Sequence, residues 1–336
     1  MTHPPSPLAV TMGEPAGIGG ELTLRAWQDR EMAGLPQFFC LDCPDRLRSL
    51  ANTLRWTVPI AEISAPGEAA ALFDKALPVL PLSLPETVEP GILNVANAAK
   101  VLSSIEMAVD FVIKGDASAV VTNPIHKSVL YEAGFRHPGH TEFLAELAGA
   151  AHRSVMMLAC DQLRVVPITV HVSLRRATEI LTRDLILETA RITHAGLKQD
   201  FGIPQPRLAF AGLNPHAGED GSMGDEELKI IGPAMEELRS EGIECIGPLS
   251  ADTMFHEEAR AQYDVALCMY HDQALIPIKT LDFHGGTNIT IGLPFIRTSP
   301  DHGTALGLAG SGNANPTSFF NALKQAASMA AQRNGK

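Results

Sequence analysis

Leu8-Ala9-Val10-Thr11-Met12 runs straight into Gly13-Glu14-Pro15-Ala16-Gly17-Ile18-Gly19-Gly20, and a helical apolar spacing takes over from Glu21 to Trp27. The opening run is apolar and short, which predicts a strand; the Gly- and Pro-bearing octet predicts a turn, and the stretch after it a helix. The same alternation continues down the chain. Residues 37–41 predict a second strand, and residues 92–114 a helix through Leu93, Val95, Ala98, Val101, Leu102, Ile105, Ala108, Val109 and Val112. Residues 117–121 predict a strand, and Thr122-Asn123-Pro124 a strand-to-helix junction. Further strands are expected at 154–159, 163–170, 207–211 and 264–269, with helices near 174–198, 225–240 and 316–332. Strands alternating with helices predict an α/β fold with a largely parallel sheet. Residues 55–92, rich in Ala, Leu and Pro, show no clear element.

The chain has 336 residues, room for two domains at about 100–200 residues each. Hydrophobic residues make up 45% and charged residues 19%, enough apolar surface for a core and too much for wholesale disorder. Lys and Arg number 26 against 38 Asp and Glu, a net charge of −12. That balance argues against a nucleic-acid binder held by a general basic surface, while a few local cations could still hold a small anion. No run approaches the roughly 18 apolar residues of a spanning helix, and no basic segment precedes an apolar one at the N-terminus. Five cysteines, spread along the chain, do not form a disulfide framework. The expectation is a soluble, cytoplasmic protein that binds neither membrane nor nucleic acid.

Three histidines share one setting. His171 follows the apolar run 163–170, His216 follows Leu208-Ala209-Phe210-Ala211-Gly212-Leu213-Asn214-Pro215, and His271 follows Val265-Ala266-Leu267-Cys268-Met269-Tyr270. Each is expected just past the carboxyl end of a strand, the edge where open α/β sheets place their ligands. Imidazole is the commonest neutral metal ligand, and three of them with an open fourth position make a catalytic zinc arrangement. The alternative is three strand caps that meet solvent. A second cluster could hold an anion: His140 and Thr141 open the helical run that follows Gly139, where free N–H groups favour phosphate or carboxylate. Thr141 could equally be only a helix cap. Lys279, Asn288 and Arg297 follow in a segment broken by Gly285, Gly286 and Gly292, as ligands of a charged molecule or as scattered surface polarity. Cys40-Leu41-Asp42-Cys43 is a lone pair without a second, and residues 13–20 fit neither nucleotide-loop pattern.

Longer blocks carry a resemblance: Gly13-Glu14-Pro15-Ala16-Gly17-Ile18-Gly19, Pro138-Gly139-His140-Thr141-Glu142-Phe143, Gly212-Leu213-Asn214-Pro215-His216-Ala217-Gly218-Glu219, Pro248-Leu249-Ser250-Ala251-Asp252-Thr253, Met269-Tyr270-His271-Asp272-Gln273 and Gly292-Leu293-Pro294-Phe295-Ile296-Arg297-Thr298-Ser299. Together they resemble the 4-hydroxythreonine-4-phosphate dehydrogenase family of vitamin B6 (pyridoxal phosphate) biosynthesis. The resemblance implies a two-domain α/β/α fold similar to isocitrate and isopropylmalate dehydrogenases, with the active site in the interdomain cleft. On that pattern the first domain is expected over 1–128 plus 302–336, the chain crossing over and returning, and the second over 129–301. It also implies a homodimer whose divalent metal is held by His171, His216 and His271 drawn from both subunits. Zinc is expected there, with magnesium or cobalt as alternatives. His140, Thr141, Lys279, Asn288 and Arg297 match its substrate-binding positions. NAD, with NADP a further possibility, comes from the resemblance alone.

The activity implied is oxidation of 4-phosphooxy-L-threonine at C3, then decarboxylation to 3-amino-2-oxopropyl phosphate. Asp272 and Asp252 are candidates for a general base or for support of the ligands. Ser173 stands where relatives often carry Pro. The rival readings are a related metal- and NAD-dependent dehydrogenase of another hydroxy acid or a dihydrodiol, a metal-dependent phosphoester hydrolase, and a non-catalytic sensor.

Overall fold

The computed structural model describes residues 6–137, 139–149 and 154–335, apart from the side chains of Thr141, Glu142 and Asn334. Its strands are β1 (Leu8–Thr11), β2 (Phe38–Asp42), β3 (Ile60–Glu62), β4 (Leu77–Pro81), β5 (Val120–Val121), β6 (Val155–Cys160), β7 (Leu163–Thr169), β8 (Arg207–Ala211), β9 (Glu244–Leu249), β10 (Val265–Tyr270), β11 (Thr287–Ile291) and β12 (Arg297–Pro300). The chain divides into two compact units, Met1–Arg153 with Leu293–Lys336, and Ser154–Gly292. The crossovers therefore lie at 153/154 and 292/293, against the expected 128/129 and 301/302. The reason lies in packing. Phe135, Phe143 and Leu144 are buried in the core of the first unit, and β12 pairs with β5. Both segments had been assigned to the second domain.

The first unit carries strands in the order β3-β4-β2-β1-β5-β12, all parallel. The helix Ala98–Lys114 covers β1 and β2 with a stripe of buried Val101, Ile105, Ala108 and Val109, each larger side chain contributing about 1.5–3 kcal/mol of burial. Ser104 sits inside that stripe and earns its burial through hydrogen bonds: its Oγ accepts from Met12 N at 2.8 Å and donates to Leu41 O at 3.1 Å, tying the ends of β1 and β2 together. The helix starts later than residue 92 because Asn94 Oδ1 accepts from Ala96 N at 3.0 Å and caps a short turn ahead of it. Gly13 adopts φ +67°, and a Cβ there would stand 2.6 Å from Asn123 Cβ; only glycine lets the loops after β1 and β5 meet so closely.

The second unit orders its strands β11-β6-β7-β10-β8-β9. Here the largely parallel expectation holds only in part: β7, β10, β8 and β9 are parallel, but β6 runs antiparallel to both β7 and β11. Only Asp161 and Gln162 separate β6 from β7, enough for a hairpin and far too few for a crossover. The single helix expected near 174–198 is two, Leu174–Ile180 and Arg183–Asp200. Ser173 Oγ caps the first by accepting from Arg176 N at 3.3 Å, and Thr182 Oγ1 caps the second by accepting from Leu185 N at 3.2 Å.

Candidate active site

In the second unit the sheet itself gathers the histidines. His171 follows β7 by one residue, His271 opens the helix His271–Leu281 directly after β10, and His216 follows β8. These three strands are neighbours and parallel, so their carboxyl ends lie side by side at about 5 Å per strand. Thr169 Oγ1 donates to Met269 O at 2.8 Å and locks the first two ends together. The His171 and His271 rings stand 5.6 Å apart, centroid to centroid. Two imidazoles on one tetrahedral zinc, with bonds of about 2.0–2.1 Å, hold their centroids about 5 Å apart, so this pair fits a shared cation. His271 Nδ1 donates to Asp272 Oδ1 at 2.7 Å, which leaves Nε2 as the coordinating nitrogen.

His216 does not join that pair: among the described residues no group of three His, Cys, Asp or Glu side chains closes on one point. It projects from a left-handed turn. His216, Ala217, Gly218, Glu219 and Asp220 all have φ between +40° and +79°, and His171 has φ +51°. A left-handed backbone costs an L-residue roughly 1–2 kcal/mol, and such strain gathers where function requires it. Asp252, just past β9, accepts from Ser250 Oγ at 2.5 Å. That hydrogen bond, helped by the charge of nearby His216, holds its carboxyl below the usual carboxylate range.

The turn is held from inside by Glu227, which is buried and which opens a π-helical turn, Glu227–Ile231. Glu227 Oε1 accepts from Asn214 N at 2.8 Å and Oε2 from Asn214 Nδ2 at 2.9 Å. A Cβ on Gly218 would come within 2.7 Å of Oε2. Gln273, also buried, accepts from Met269 N through Oε1 and donates through Nε2 to Gly212 O, both at 2.7 Å, so it binds the ends of β10 and β8. Lys279 lies on the helix after His271, its Nζ 5.5 Å from the Phe283 ring, and Asn288 lies on β11 opposite Leu158.

The first unit holds His140 and Arg297. Arg297 begins β12 and is 4% exposed; its Nη2 and Nε donate to Thr122 Oγ1 at 2.7 and 3.1 Å. Burial pulls its pKa down to about 10, so it is still cationic at neutral pH. His140 opens the helix His140–Leu147. Its Nε2 is sealed from solvent and has no hydrogen-bond partner among the described residues. Burial pushes the imidazole well below 6.5, and the charges of Arg297 and Lys127 push the same way. Two cations and a neutral imidazole with an orphaned nitrogen suit an anion. The side chain of Thr141 lies outside the described set.

Residues 37–326 match the family described as pyridoxal phosphate biosynthetic protein PdxA. The chain belongs to that family. The 4-hydroxythreonine-4-phosphate dehydrogenase of Bradyrhizobium diazoefficiens is 55% identical over 98% of this chain and 99% of its own length. That of Methylorubrum extorquens is 54% identical over 96% of this chain and 94% of its own. A crystal structure of the Klebsiella pneumoniae 4-hydroxythreonine-4-phosphate dehydrogenase superposes with a TM-score of 0.86 at 36% identity, covering 97% of this chain and 99% of that one. Within this PdxA-family frame the sequence reading missed Lys127, Glu227 and Gln273. Lys127 follows the Thr122-Asn123-Pro124 junction after β5, the kind of strand-end loop that singled out the histidines. Glu227 gave no signal, since it reads as an ordinary polar residue of a helix, and Gln273 stood in the block 269–273 without a role of its own. The lone Cys40-x-x-Cys43 spacing carries no chemistry: Cys40 is buried, and desolvation raises its thiol pKa far above the ordinary value.

Proposed function

We propose that this chain oxidises the C3 hydroxyl of 4-phosphooxy-L-threonine with NAD as hydride acceptor and then releases CO2 to give 3-amino-2-oxopropyl phosphate. The observation that carries the reading is the His171–His271 pair at 5.6 Å, in a chain whose relatives at 54–55% identity bear that substrate's name. In the first step hydride leaves C3 for the nicotinamide and the hydroxyl proton goes to solvent. In the second the β-keto acid loses CO2, and a proton replaces it on carbon.

His171 and His271 would hold a divalent cation, with His216 as third ligand in a site shared between two subunits. Zinc is the expected ion, magnesium or cobalt the alternatives. When bound, such a cation polarises the hydroxyl oxygen and later stabilises the negative charge of decarboxylation. Asp272 fixes the His271 tautomer by taking its Nδ1 proton in a hydrogen bond. Arg297, Lys127 and His140 bind the phosphate, His140 as a neutral donor; Thr141, Lys279 and Asn288 hydrogen-bond the remaining polar groups. Asp252, kept ionised by the Ser250 hydrogen bond, would accept a proton near His216. A second subunit would bury Val172, Leu174, Ile276 and Phe283, exposed apolar residues that follow β7 and β10 in the chain.

The test is direct. Purified protein with zinc, NAD and 4-phosphooxy-L-threonine should raise the NADH absorbance and release CO2 in equal amount. Inorganic phosphate in place of NADH would mean a hydrolase, binding without turnover a sensor. NADH formed only with another hydroxy acid or a dihydrodiol would reassign the substrate.

A further inference from the structure

We propose that Glu227 is the positioning residue for His216: its buried carboxylate shapes the left-handed turn and so sets the imidazole for cation binding. This rests on the metal reading above.

A chain of contacts leads to it. Four non-glycine residues in succession around Gly218 hold positive φ, a conformation L-residues leave unless their surroundings fix it. Backbone hydrogen bonds tie the turn to its flanks, Ala217 N to Asn214 O, Ser222 N to Glu219 O and Met223 N to Gly218 O, each at 3.1 Å. What fills its interior is Glu227. One carboxylate oxygen takes Asn214 N at the entrance, and the other takes the Asn214 amide. Both oxygens lie against glycines, one ahead of the turn and one at its centre: a Cβ on Gly212 would stand 3.1 Å from Oε1 and one on Gly218 2.7 Å from Oε2. The glycines are thus the residues whose missing side chains let the carboxylate in. Asn214 is gripped a second time by Glu226 Oε2 at 2.6 Å, so the amide has no donor left for an alternative fold of the loop. Glu227 occurs at a π-helical turn, where the extra residue per turn re-aims a side chain. Its carboxylate is taken up by Asn214, two residues before His216, and it acts through that histidine. The prediction follows the usual behaviour of residues behind a metal ligand, whose loss weakens binding about 10–100-fold.

The experiment has two arms, both on the full-length chain. Hydrogen exchange of the metal-free protein reads the turn: Glu227→Gln should speed exchange over residues 212–223 and leave β7 and β10 protected as before. Zinc titration by calorimetry reads the consequence: Glu227→Gln should weaken binding about 10–100-fold, and should weaken it no further in a His216→Ala background. Should Glu227→Gln fail to fold, Glu227→Asp, which keeps the charge and shortens the reach by one methylene, enters the same cycle. Unchanged exchange over 212–223 would overturn the proposal and leave the metal reading standing. An equal loss of affinity in the His216→Ala background would also overturn it, because Glu227 would then act on the whole unit. A wild-type protein that takes up no zinc would overturn the metal reading and this proposal together.

Discussion

Replacing Arg297 by methionine should make the fold more stable and the enzyme worse. The guanidinium lies 4% exposed on β12, and burial alone drags its pKa from 12.5 to about 10. That drop corresponds to about 3 kcal/mol against the charged form. The sign is fixed by the direction: a base with a lowered folded pKa costs stability wherever the pH lies below that value, so the full cost is present at pH 7 and is relieved only as pH rises from about 10 towards 12.5. Methionine has a similar shape and no charge, so it removes this cost. Against that gain stands the lost hydrogen bonding of the guanidinium, its bonds to Thr122 Oγ1 included, at about 1–2 kcal/mol for buried partners left short. The net expectation is a gain of about 1–2 kcal/mol, measured by urea unfolding at pH 7 with an unchanged m-value. The same change removes a charge-assisted contact to phosphate worth roughly 1.5–3 kcal/mol, so KM for the phosphorylated substrate should rise about 10–100-fold. A variant less stable than wild type by more than about 1 kcal/mol, with KM intact, would refute the reasoning and make Arg297 a structural residue.

His140 should give the protein an acid-labile component: its imidazole is neutral in the fold and ordinary when unfolded, so stability is present above pH 6.5 and is lost as the pH falls through that value. His140→Gln should flatten that part of the pH–stability curve, and identical curves would contradict it. Gly218→Ala places a Cβ 2.7 Å from Glu227 Oε2 at φ +79° and should cost about 2 kcal/mol or more; a neutral effect on thermal unfolding would show the turn to be soft. His171→Ala and His271→Ala should each lower bound zinc by elemental analysis while circular dichroism stays native, and full occupancy in either would remove that residue from the site. Mixed His271→Ala and His216→Ala chains, dissociated and reassociated, should regain about a quarter of wild-type activity; no recovery in any histidine pairing, with mixed dimers verified by mass, would place all three ligands on one chain.

The part of the site that rides on strands could be read from the sequence, because an apolar run ending in a histidine declares both the strand and its last residue's edge. Sheet order could not be read: the interleaving of β10 between β7 and β8 puts His271 beside His171, while His216 sits five residues past β8 in its left-handed turn. β4 went unseen because Leu77-Pro78-Val79-Leu80-Pro81 carries two prolines, which argue against an interior strand; it is interior all the same, between β3 and β2. The turn at His216 reads as a loop with a single usable glycine, since nothing in His-Ala-Gly-Glu-Asp announces five positive φ angles. Its cause lies in Glu227, eleven residues on, and side-chain insertion of that kind leaves no periodic trace.

The return of the chain to its first unit has a consequence for how the protein is made. β12 completes the first sheet beside β5, and the helix Thr317–Asn334 fastens onto it, with Thr298 Oγ1 donating to Ala322 O at 2.8 Å. These residues leave the ribosome only after the whole of Ser154–Gly292. Until they emerge, the edge of β5 is unpaired while all of Ser154–Gly292 has already been synthesised, so the second unit can close during translation and the first cannot. An open parallel edge is an aggregation hazard for as long as it lasts. Nascent chains stalled short of β12 should therefore be the species that chaperones hold, and loss of the helix Thr317–Asn334 should harm the unit that contains β1.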